Sequence, residues 1–195
     1  MKYCEFIAQT TLPTEKGELF IRAYKHINYP NPTLEPLVIF YDNPSSTANI
    51  RVHDACYTSE VLGSRRCDCK EQLDTSLEYI KKHGGAIIYL QQEGRGIGLS
   101  SKIKVYAIQD QGYDTVDANL QIGHQADERN YDVIPEILQD LDINEISLMT
   151  NNPRKIEILT QLGVQIKERI PIIIPENETN CNYLQTKKDK MRHLL

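Results

Sequence analysis

The first third of the chain has the hydrophobic pattern of β-strands. Residues 18–24 alternate roughly between apolar and polar side chains after a turn at residues 15–17, and residues 37–41 form a short apolar run. Both patterns are typical of strands. Turn-forming side chains at residues 42–46 predict a loop after the second strand.

Beyond this loop the apolar spacing becomes alternately helical and strand-like. Leu73, Leu77 and Ile80 mark one face of a predicted helix that stops at Gly84 and Gly85. A second predicted helix ends near residue 112, and its apolar face comprises Leu99, Ile103, Tyr106 and Ala107.

Two further helices are predicted from their first turns. Residues 133–141 predict a helix with Asp132 as its N-cap and Pro135 in its first turn. Pro153 suits the first position of a helix that follows an Asn152 cap and ends at residue 163. The remaining predicted elements are strands at 86–90, 145–149 and 164–169, and an amphipathic C-terminal helix at 183–195.

This order predicts a mixed α/β (α+β) fold. A β-rich N-terminal third is followed by alternating helices and strands in one compact unit. The connections are short, and a length of 195 residues suits a single domain, so we expect one domain at 1–195.

Charge and hydropathy narrow the class of protein. The net charge of −5 argues against a broad nucleic-acid-binding surface, whereas a small anionic substrate needs only a few local cations. No segment approaches the roughly 20 apolar residues of a membrane span, and the first residues lack the apolar run of a signal peptide. We therefore expect a cytoplasmic protein with neither a nucleic-acid nor a membrane partner.

Three of the five cysteines lie together in a polar segment. Cys56, Cys67 and Cys69 have the spacing C-x10-C-x-C, without the paired C-x2-C knuckles of a structural zinc site. Three ligands leave a fourth position for water, so the spacing predicts a catalytic zinc site. The alternatives are buried free thiols, which is the role we expect for the isolated Cys4 and Cys181, and a structural zinc site.

Two loops between a predicted strand and a predicted helix favour an anionic ligand. Residues 93–98 are rich in glycine and carry Arg95, and residues 150–155 combine Thr150 with two cations, one of them Lys155. Glycines allow close approach of the backbone, and helix N-termini attract anions. Each loop alone is weak evidence, since a tight connection or an ordinary exposed lysine explains it equally well.

Residues 110–119 and 126–131 are dense in titratable groups and show neither helical nor strand periodicity. Polar residues between apolar elements are candidates for acid–base chemistry. A solvated loop is the alternative for both segments.

Taken together, these segments closely resemble GTP cyclohydrolase II, a zinc enzyme of riboflavin biosynthesis. The matching segments are 51–53, 66–69, 92–98, 106–115, 126–129, 148–155 and the tail at 183–195. The resemblance extends over nearly the whole chain from about residue 11. It implies the monofunctional form, because 195 residues leave no room for the synthase to which a longer relative is fused.

The resemblance implies a reaction and its ligands. GTP would be hydrolysed to 2,5-diamino-6-ribosylamino-4(3H)-pyrimidinone 5′-phosphate, formate and pyrophosphate. One Zn²⁺ per subunit would be held by Cys56, Cys67 and Cys69, Mg²⁺ would accompany the triphosphate, and the protein would be a homodimer. The implied GTP contacts are Arg51, Val52, His53, Asp54, Ala55, Gln72, Glu93, Gly94, Arg95, Thr115, Thr150 and Lys155.

The resemblance also implies three catalytic residues. Asp127 resembles the proposed proton acceptor, Arg129 the proposed nucleophile toward the α-phosphate, and Tyr106 a residue needed for hydrolysis at the purine ring. Ala55 replaces a glutamate that is common in the family, and Gln91 lies where arginine is frequent.

Two other functions remain open. The enzyme could open the imidazole ring and stop at a formylated pyrimidine. Alternatively, the chain could be a binding module with a structural zinc site. That module would need a fourth protein ligand, for which His53 is the candidate.

Overall fold

A computed structural model describes residues 2–27, 35–113, 115–125, 127–191 and 193–194. The strands are Cys4–Thr14 (β1), Gly17–His26 (β2), Leu37–Phe40 (β3), Thr47–Asp54 (β4), Ala86–Leu90 (β5), Glu145–Met149 (β6) and Ile166–Ile170 (β7). The helices are Tyr57–Glu60 (α1), Cys69–His83 (α2), Leu99–Gln109 (α3), Thr115–Gln121 (α4), Ile134–Asp140 (α5), Pro153–Gln161 (α6) and Cys181–Met191 (α7). The predicted mixed α/β fold in one compact unit is confirmed.

All seven strands belong to one sheet with the order β1-β2-β3-β5-β4-β6-β7. The first half, from β1 through β3 to β5, is antiparallel, whereas β5, β4, β6 and β7 are parallel to their neighbours. The carboxyl ends of β4, β5 and β6 therefore lie at one edge of the sheet, which is where open α/β sheets bind ligands.

Two strands were missing from the sequence prediction. In β1 the residues after Cys4 are exposed, so burial imposes no alternation on them. In β4 the opposite holds, because the central strand is buried on both faces and places Arg51 and His53 inside the protein. Polar residues at buried positions removed the apolar run by which a central strand is usually recognised.

The beginning of α6 confirms its predicted cap, whereas two other predictions were wrong. The Asn152 side chain accepts a hydrogen bond from the Arg154 N–H at 3.0 Å. For α5 the cap is Val133 without a side-chain bond, while Asp132 accepts a hydrogen bond from Asn130. Residues 115–119 belong to α4 instead of an irregular loop. The predicted C-terminal helix is confirmed as α7, although it begins at Cys181 and ends before residue 193.

The apolar face expected for α3 points outward. Leu99 and Ile103 are exposed, while Lys102 and Val105 are the buried residues of this helix. The helix is therefore turned so that a lysine faces the interior. Among the described residues, every helix falls short of the length and apolar character needed to cross a bilayer.

Candidate active site

A cavity of about 730 Å³ opens at the edge of the sheet where β4, β5 and β6 end. The sheet supplies its floor, since each of these strands continues directly into a segment that lines it. The predicted site residues that line the cavity are Arg51, His53, Asp54, Ala55, Cys56, Cys67, Cys69, Gln72, Glu93, Gly94, Arg95, Tyr106, Arg129, Thr150 and Lys155.

The metal end of this cavity is formed by the three predicted cysteines. The Sγ atoms of Cys56, Cys67 and Cys69 lie within 4.8 Å of one another, and those of Cys56 and Cys67 are 3.6 Å apart. Cys56 directly precedes α1 and Cys69 is the first residue of α2. The segment that connects these two helices therefore brings the three thiols together. Three convergent thiols suit a soft, tetrahedral ion such as zinc.

A buried ion pair borders the thiol cluster. The Lys102 ammonium on α3 donates to Cys56 Sγ at 3.1 Å and to Glu93 Oε1 at 2.6 Å. Glu93 also accepts hydrogen bonds from the backbone N–H groups of Tyr57 and Gly94. Burial alone would lower the pKa of Lys102, but the charges of Cys56 and Glu93 raise it above its ordinary value. Lys102 is therefore a cation held against a sulfur of the thiol cluster.

The glycine-rich turn at Glu93–Gly96 is docked tightly on residues 128–130. Arg95 has a φ of 63°, in the left-handed region, and its carbonyl accepts a hydrogen bond from the Glu128 N–H at 2.9 Å. A Cβ on Gly96 would lie only 2.8 Å from the Glu128 carbonyl, so only glycine fits this approach. We call this contact the loop junction.

Gln92 completes the loop junction from the end of β5. Its side-chain amide accepts from the Asn130 N–H at 2.6 Å and donates to the Asn130 carbonyl at 2.7 Å. The glycine-rich turn and the segment that carries Arg129 are thereby fixed to each other by backbone and side-chain contacts.

The opposite end of the cavity, the cationic end, is organised around Asp54. Its Oδ2 atom accepts from Arg129 Nη1 at 2.7 Å, Lys155 Nζ at 2.9 Å and the Tyr131 hydroxyl at 3.1 Å. Burial would raise the pKa of Asp54, but Lys155 and Arg129 lower it well below its ordinary range. Its Oδ1 atom is buried, and no described residue donates a hydrogen bond to it.

Arg129 is held on two sides by carboxylates. In addition to Asp54, its Nε and Nη2 atoms bind the two oxygens of Asp127 at 2.8 and 2.6 Å. Burial alone would lower the pKa of Arg129, but Tyr131, Asp54 and Asp127 raise it well above its ordinary value. Arg154 approaches Asp127 from α6 at 3.2 Å. The guanidinium is a fixed positive charge.

Lys155 is buried in the first turn of α6. It donates to the Val52 carbonyl at 2.7 Å as well as to Asp54. Burial, only partly offset by Asp54, lowers the pKa of Lys155 to about 8. The exposed lysine considered from the sequence is therefore excluded. A cation at a helix N-terminus is unfavourable without an anionic partner.

Arg51 lies beside these groups on β4. It donates to the Met149 carbonyl at 3.0 Å and to Gln72 Oε1 at 2.6 Å. The Gln72 amide in turn donates to Asp68 Oδ2 at 2.6 Å, which fixes the orientation of the amide. The Nε atom of Arg51 is buried, and it has no hydrogen-bond partner within the part of the chain that the structure describes.

His53 is held by a residue that the sequence did not single out. Its Nε2 atom lies 2.9 Å from Glu60 Oε1, and the same oxygen accepts from the Cys56 N–H at 2.9 Å. The other Glu60 oxygen accepts from the Tyr89 hydroxyl at 2.6 Å, and the Tyr89 ring stacks on His53. Among the described residues, the thiol cluster with metal-holding geometry contains no histidine, so the structure does not place His53 as a fourth metal ligand.

Tyr106 borders the metal end of the cavity. The Arg66 guanidinium lies 4.9 Å and the Lys102 ammonium 5.7 Å from the centre of its ring. Burial raises the pKa of Tyr106, and a hydrogen bond with the Thr58 side chain opposes that rise. Thr58 Oγ1 lies 3.7 Å from Cys56 Sγ, so the tyrosine hydroxyl reaches the surroundings of the thiols.

Some predicted site residues lie apart from the cavity wall. Val52 contributes its carbonyl to Lys155, and Asp127 lies behind Arg129. The side chain of Thr115 is outside the described residues. Lys102 and Glu60 were missed, and the only sequence signal for Lys102 was a lysine that interrupts the apolar positions of a helix.

Comparison with known proteins places the chain in a family. The family model for GTP cyclohydrolase II matches residues 5–171. The chain is 48% identical over 186 residues to a GTP cyclohydrolase-2 of Campylobacter fetus, which covers 94% of this chain and 92% of that protein. It is 45% identical to the riboflavin biosynthesis protein RibBA of Staphylococcus epidermidis over 96% of this chain.

The chain spans about half the length of the Staphylococcus relatives, 47% for the S. epidermidis protein and 48% for a 45% identical RibBA of Staphylococcus aureus. Among solved structures it is similar to RibBX, a two domain 3,4-dihydroxy-2-butanone 4-phosphate synthase from A. baumannii. That similarity has a TM-score of 0.46 and 16% identity over 90% of this chain and 41% of the other. On the family model and the identity to the Campylobacter fetus enzyme, the chain belongs to the GTP cyclohydrolase II family.

Proposed function

We propose that this chain hydrolyses GTP, opening the imidazole ring and releasing formate and pyrophosphate to leave 2,5-diamino-6-ribosylamino-4(3H)-pyrimidinone 5′-phosphate. This would be the first step of riboflavin biosynthesis. The observation that carries the proposal is the polarity of the cavity, which has three convergent thiols at one end and fixed cations at the other. Such a cavity suits a molecule with a reactive ring at one end and phosphates at the other.

The donor set fits one zinc ion. Cys56, Cys67 and Cys69 would hold it, since thiolates are preferred zinc ligands. Hydrogen bonds from Cys67 and Cys69, supported by Lys102, lower the pKa of Cys56 against the effect of burial. When bound, zinc would supply the Lewis acidity that activates water for hydrolysis of the purine ring.

The residues of the chain would orient the ring at this end. Tyr106 borders the cavity beside the thiols, where its hydroxyl would position water or the formyl group for the second hydrolysis. Hydrolysis of that group distinguishes the full reaction from one that stops at the formylated pyrimidine. We therefore propose the full reaction.

Arg129 and Lys155 would bind the phosphates and stabilise the charge that develops as pyrophosphate leaves. Fixed cations in a dry site are effective because they need no reorganisation during the reaction. The nucleophilic role implied for Arg129 would require its guanidinium to lose a proton while bound to Asp54 and Asp127, which raise its pKa. We infer that Arg129 acts by charge, and that Asp127 orients it.

Mg²⁺ would accompany the triphosphate, whose oxygens are the hard ligands that this ion prefers. Asp54 lines the cavity, and a carboxylate oxygen is the kind of ligand that this ion prefers. The implied GTP contacts, one zinc per subunit, a homodimer and a cytoplasmic location remain predictions.

The experiment is to incubate the purified chain with GTP, zinc and magnesium. Formate, pyrophosphate and the mass of the pyrimidine product are then followed together. Equal amounts of formate and pyrophosphate would support the proposal. A formylated product would support the shorter reaction, and tight zinc binding without any product would support the structural-zinc module.

A further inference from the structure

The C-terminal segment forms one wall of the cavity, although the function proposed above gives it no role. Its described side chains that line the cavity can all form hydrogen bonds, and they are Thr179, Gln185, Thr186, Asp189 and His193. Neither the zinc site nor the implied GTP contacts include any of them. We call Thr179, α7 and residues 193–194 the C-terminal strap.

The first anchor of the strap lies at the metal end of the cavity. The Thr179 hydroxyl donates to the Arg65 carbonyl at 2.8 Å, and Arg65 lies two residues before Cys67. A turn fixes this anchor, because the Asn177 side chain accepts hydrogen bonds from the N–H groups of Thr179 at 2.9 Å and Asn180 at 3.0 Å. The strap therefore begins at a defined point beside the thiols.

The second anchor lies at the cationic end. The Leu194 N–H donates to the Asn151 carbonyl at 2.9 Å. Asn151 directly precedes Asn152, the cap of the helix that carries Lys155. The strap thus joins the two ends of the cavity, and a molecule that reaches from the thiols to the cations would lie along it.

Between the anchors, α7 turns a polar face toward the cavity. Gln185, Thr186 and Asp189 line the cavity, and the Gln185 amide donates to Asp189 Oδ2 at 2.8 Å across one helical turn. Leu184 is buried on the opposite face of the helix, and α7 packs against α4. The helix is therefore supported from behind and presents hydrogen-bonding groups to the interior of the cavity.

We propose that the C-terminal strap encloses GTP and retains the ring-opened, formylated intermediate until its second hydrolysis. The inference rests on the proposed function, which requires two successive hydrolyses of one bound molecule. A wall fixed at both ends of the cavity would hold that molecule in place and separate it from bulk solvent. The strap supplies binding and enclosure, and it takes no part in breaking a bond.

Hydrogen exchange of the zinc-loaded full chain tests whether the strap contacts the ligand. The α,β-methylene analogue of GTP should slow amide exchange in peptides from α7. Exchange in the β1–β2 hairpin should stay unchanged, since no described residue of that hairpin lines the cavity. Unchanged exchange in α7, when calorimetry shows that the analogue is bound, would overturn the inference alone. Failure of the analogue to bind would contradict the proposed function and this inference with it.

The anchor at Thr179 can be removed with little change in the shape of the side chain. Thr179→Val loses the hydroxyl that reaches Arg65, so affinity for the analogue should fall by about two- to tenfold, the contribution of one hydrogen bond. Zinc content should not change. Thr160→Val is the matched control, because it removes an exposed hydroxyl that donates to the Ile156 carbonyl at 2.9 Å away from the cavity wall. Equal affinity in the two variants would overturn the role of this anchor.

Deletion of residues 179–195 separates retention from catalysis. The shortened chain should keep its zinc but release the formylated pyrimidine about tenfold more often than the full chain, since both anchoring hydrogen bonds are lost. Supplied with that pyrimidine at high concentration, it should still produce formate, whereas Tyr106→Phe should not. Equal release of formate and pyrophosphate by the shortened chain would overturn the inference. If the deletion abolishes zinc binding, the exchange experiment and Thr179→Val decide.

Discussion

The metal end and the cationic end of the cavity are built in opposite ways. The three thiols come from one short segment between β4 and α2, and a single ion pair, Lys102 with Glu93, supports them. The cationic end joins segments far apart in sequence, since Asp54 binds Arg129 and Lys155 across 75 and 101 residues. One end is local, whereas the other depends on the completed sheet.

The two ends also differ in the sign of their net charge. Three clustered thiols with one lysine have an excess of negative charge when ionised, which suits a bound metal cation. At the other end Arg129, Arg154 and Lys155 face the carboxylates of Asp54 and Asp127, an excess of positive charge. The net charge of each end would therefore be neutralised by the ligand proposed for it. Variants at the two ends should then have separable effects.

The largest expected effect comes from the thiols. Each of Cys56→Ser, Cys67→Ser and Cys69→Ser should lose zinc and release no measurable formate. Pyrophosphate should still be released slowly, because the cations at the other end are untouched. Metal analysis and both product assays check this prediction. Stoichiometric zinc in all three variants would remove the metal assignment, and joint loss of both products in every variant would disprove the separation of the two ends.

Tyr106→Phe should come next. The variant should fold and bind zinc normally, since removing one hydroxyl hydrogen bond lowers the free energy of unfolding by only about 1 kcal/mol. Formate release should fall by about 10²–10³-fold, a usual loss for a group that positions proton transfer, and the formylated pyrimidine should accumulate. Mass spectrometry of the product decides. Normal formate release would show that Tyr106 only packs against Arg66 and Lys102.

Lys155 should make GTP binding sensitive to pH. Its pKa is lowered to about 8, so affinity for the non-hydrolysable α,β-methylene analogue of GTP should fall by about 10–100-fold as pH rises above that value and a charged hydrogen bond is lost. Lys155→Arg stays charged and should abolish the decline. Calorimetric titrations at several pH values measure both, and an equal decline in the two proteins would disprove the assignment.

The same shift has the opposite sign for folding. The folded state binds fewer protons than the unfolded state between pH about 8 and the ordinary lysine value of 10.5. The contribution of Lys155 to the free energy of unfolding is therefore least favourable below pH 8 and improves through this window. Denaturant unfolding of the chain and of Lys155→Met at pH 7 and pH 10 would measure this change in the free energy of unfolding.

An effect on zinc affinity alone is expected at Lys102. Lys102→Met removes the cation beside Cys56 and should weaken zinc affinity by about 10–100-fold, as outer contacts of metal ligands usually do. Lys104→Met, a change at an exposed position of the same helix, is the control. Competition with a chromogenic chelator measures both. Equal zinc affinity in the two variants would show that the thiols alone determine binding.

The same contrast explains what could be predicted from the sequence. The spacing of Cys56, Cys67 and Cys69 indicated a metal cluster because the three residues are close in the chain. Asn152 indicated the start of α6 because an N-cap depends on a local hydrogen bond. The cationic end gave weaker signals, namely the cations of residues 150–155 and the titratable groups of residues 126–131, and neither signal showed that these groups meet at Asp54. Asp54 is the last residue of β4, and the buried polar residues of this central strand prevented its recognition in the sequence. The partners of Asp54 meet it only when the carboxyl ends of the parallel strands come together in the sheet.

Burial was the other quantity that the sequence could not supply. The apolar residues of α3 predicted a face centred on Leu99 and Ile103, yet the helix buries Lys102 because Cys56 and Glu93 provide it with negative partners. Likewise Glu60 is one acidic residue among 27 until the fold places it between His53, Cys56 and Tyr89. Electrostatic partners distant in sequence decide such orientations.

The loop junction has a consequence for anyone who wishes to redesign this enzyme. Arg95, Gly96 and Gln92 are bonded or packed directly against residues 128–130, so the backbone of the glycine-rich turn and the backbone that carries Arg129 should move as one piece. Libraries that vary only the glycine-rich turn should therefore also displace Arg129 and the phosphate contact proposed for it. New substrates should be sought by varying both segments together, or by leaving both intact and changing side chains that approach from α3.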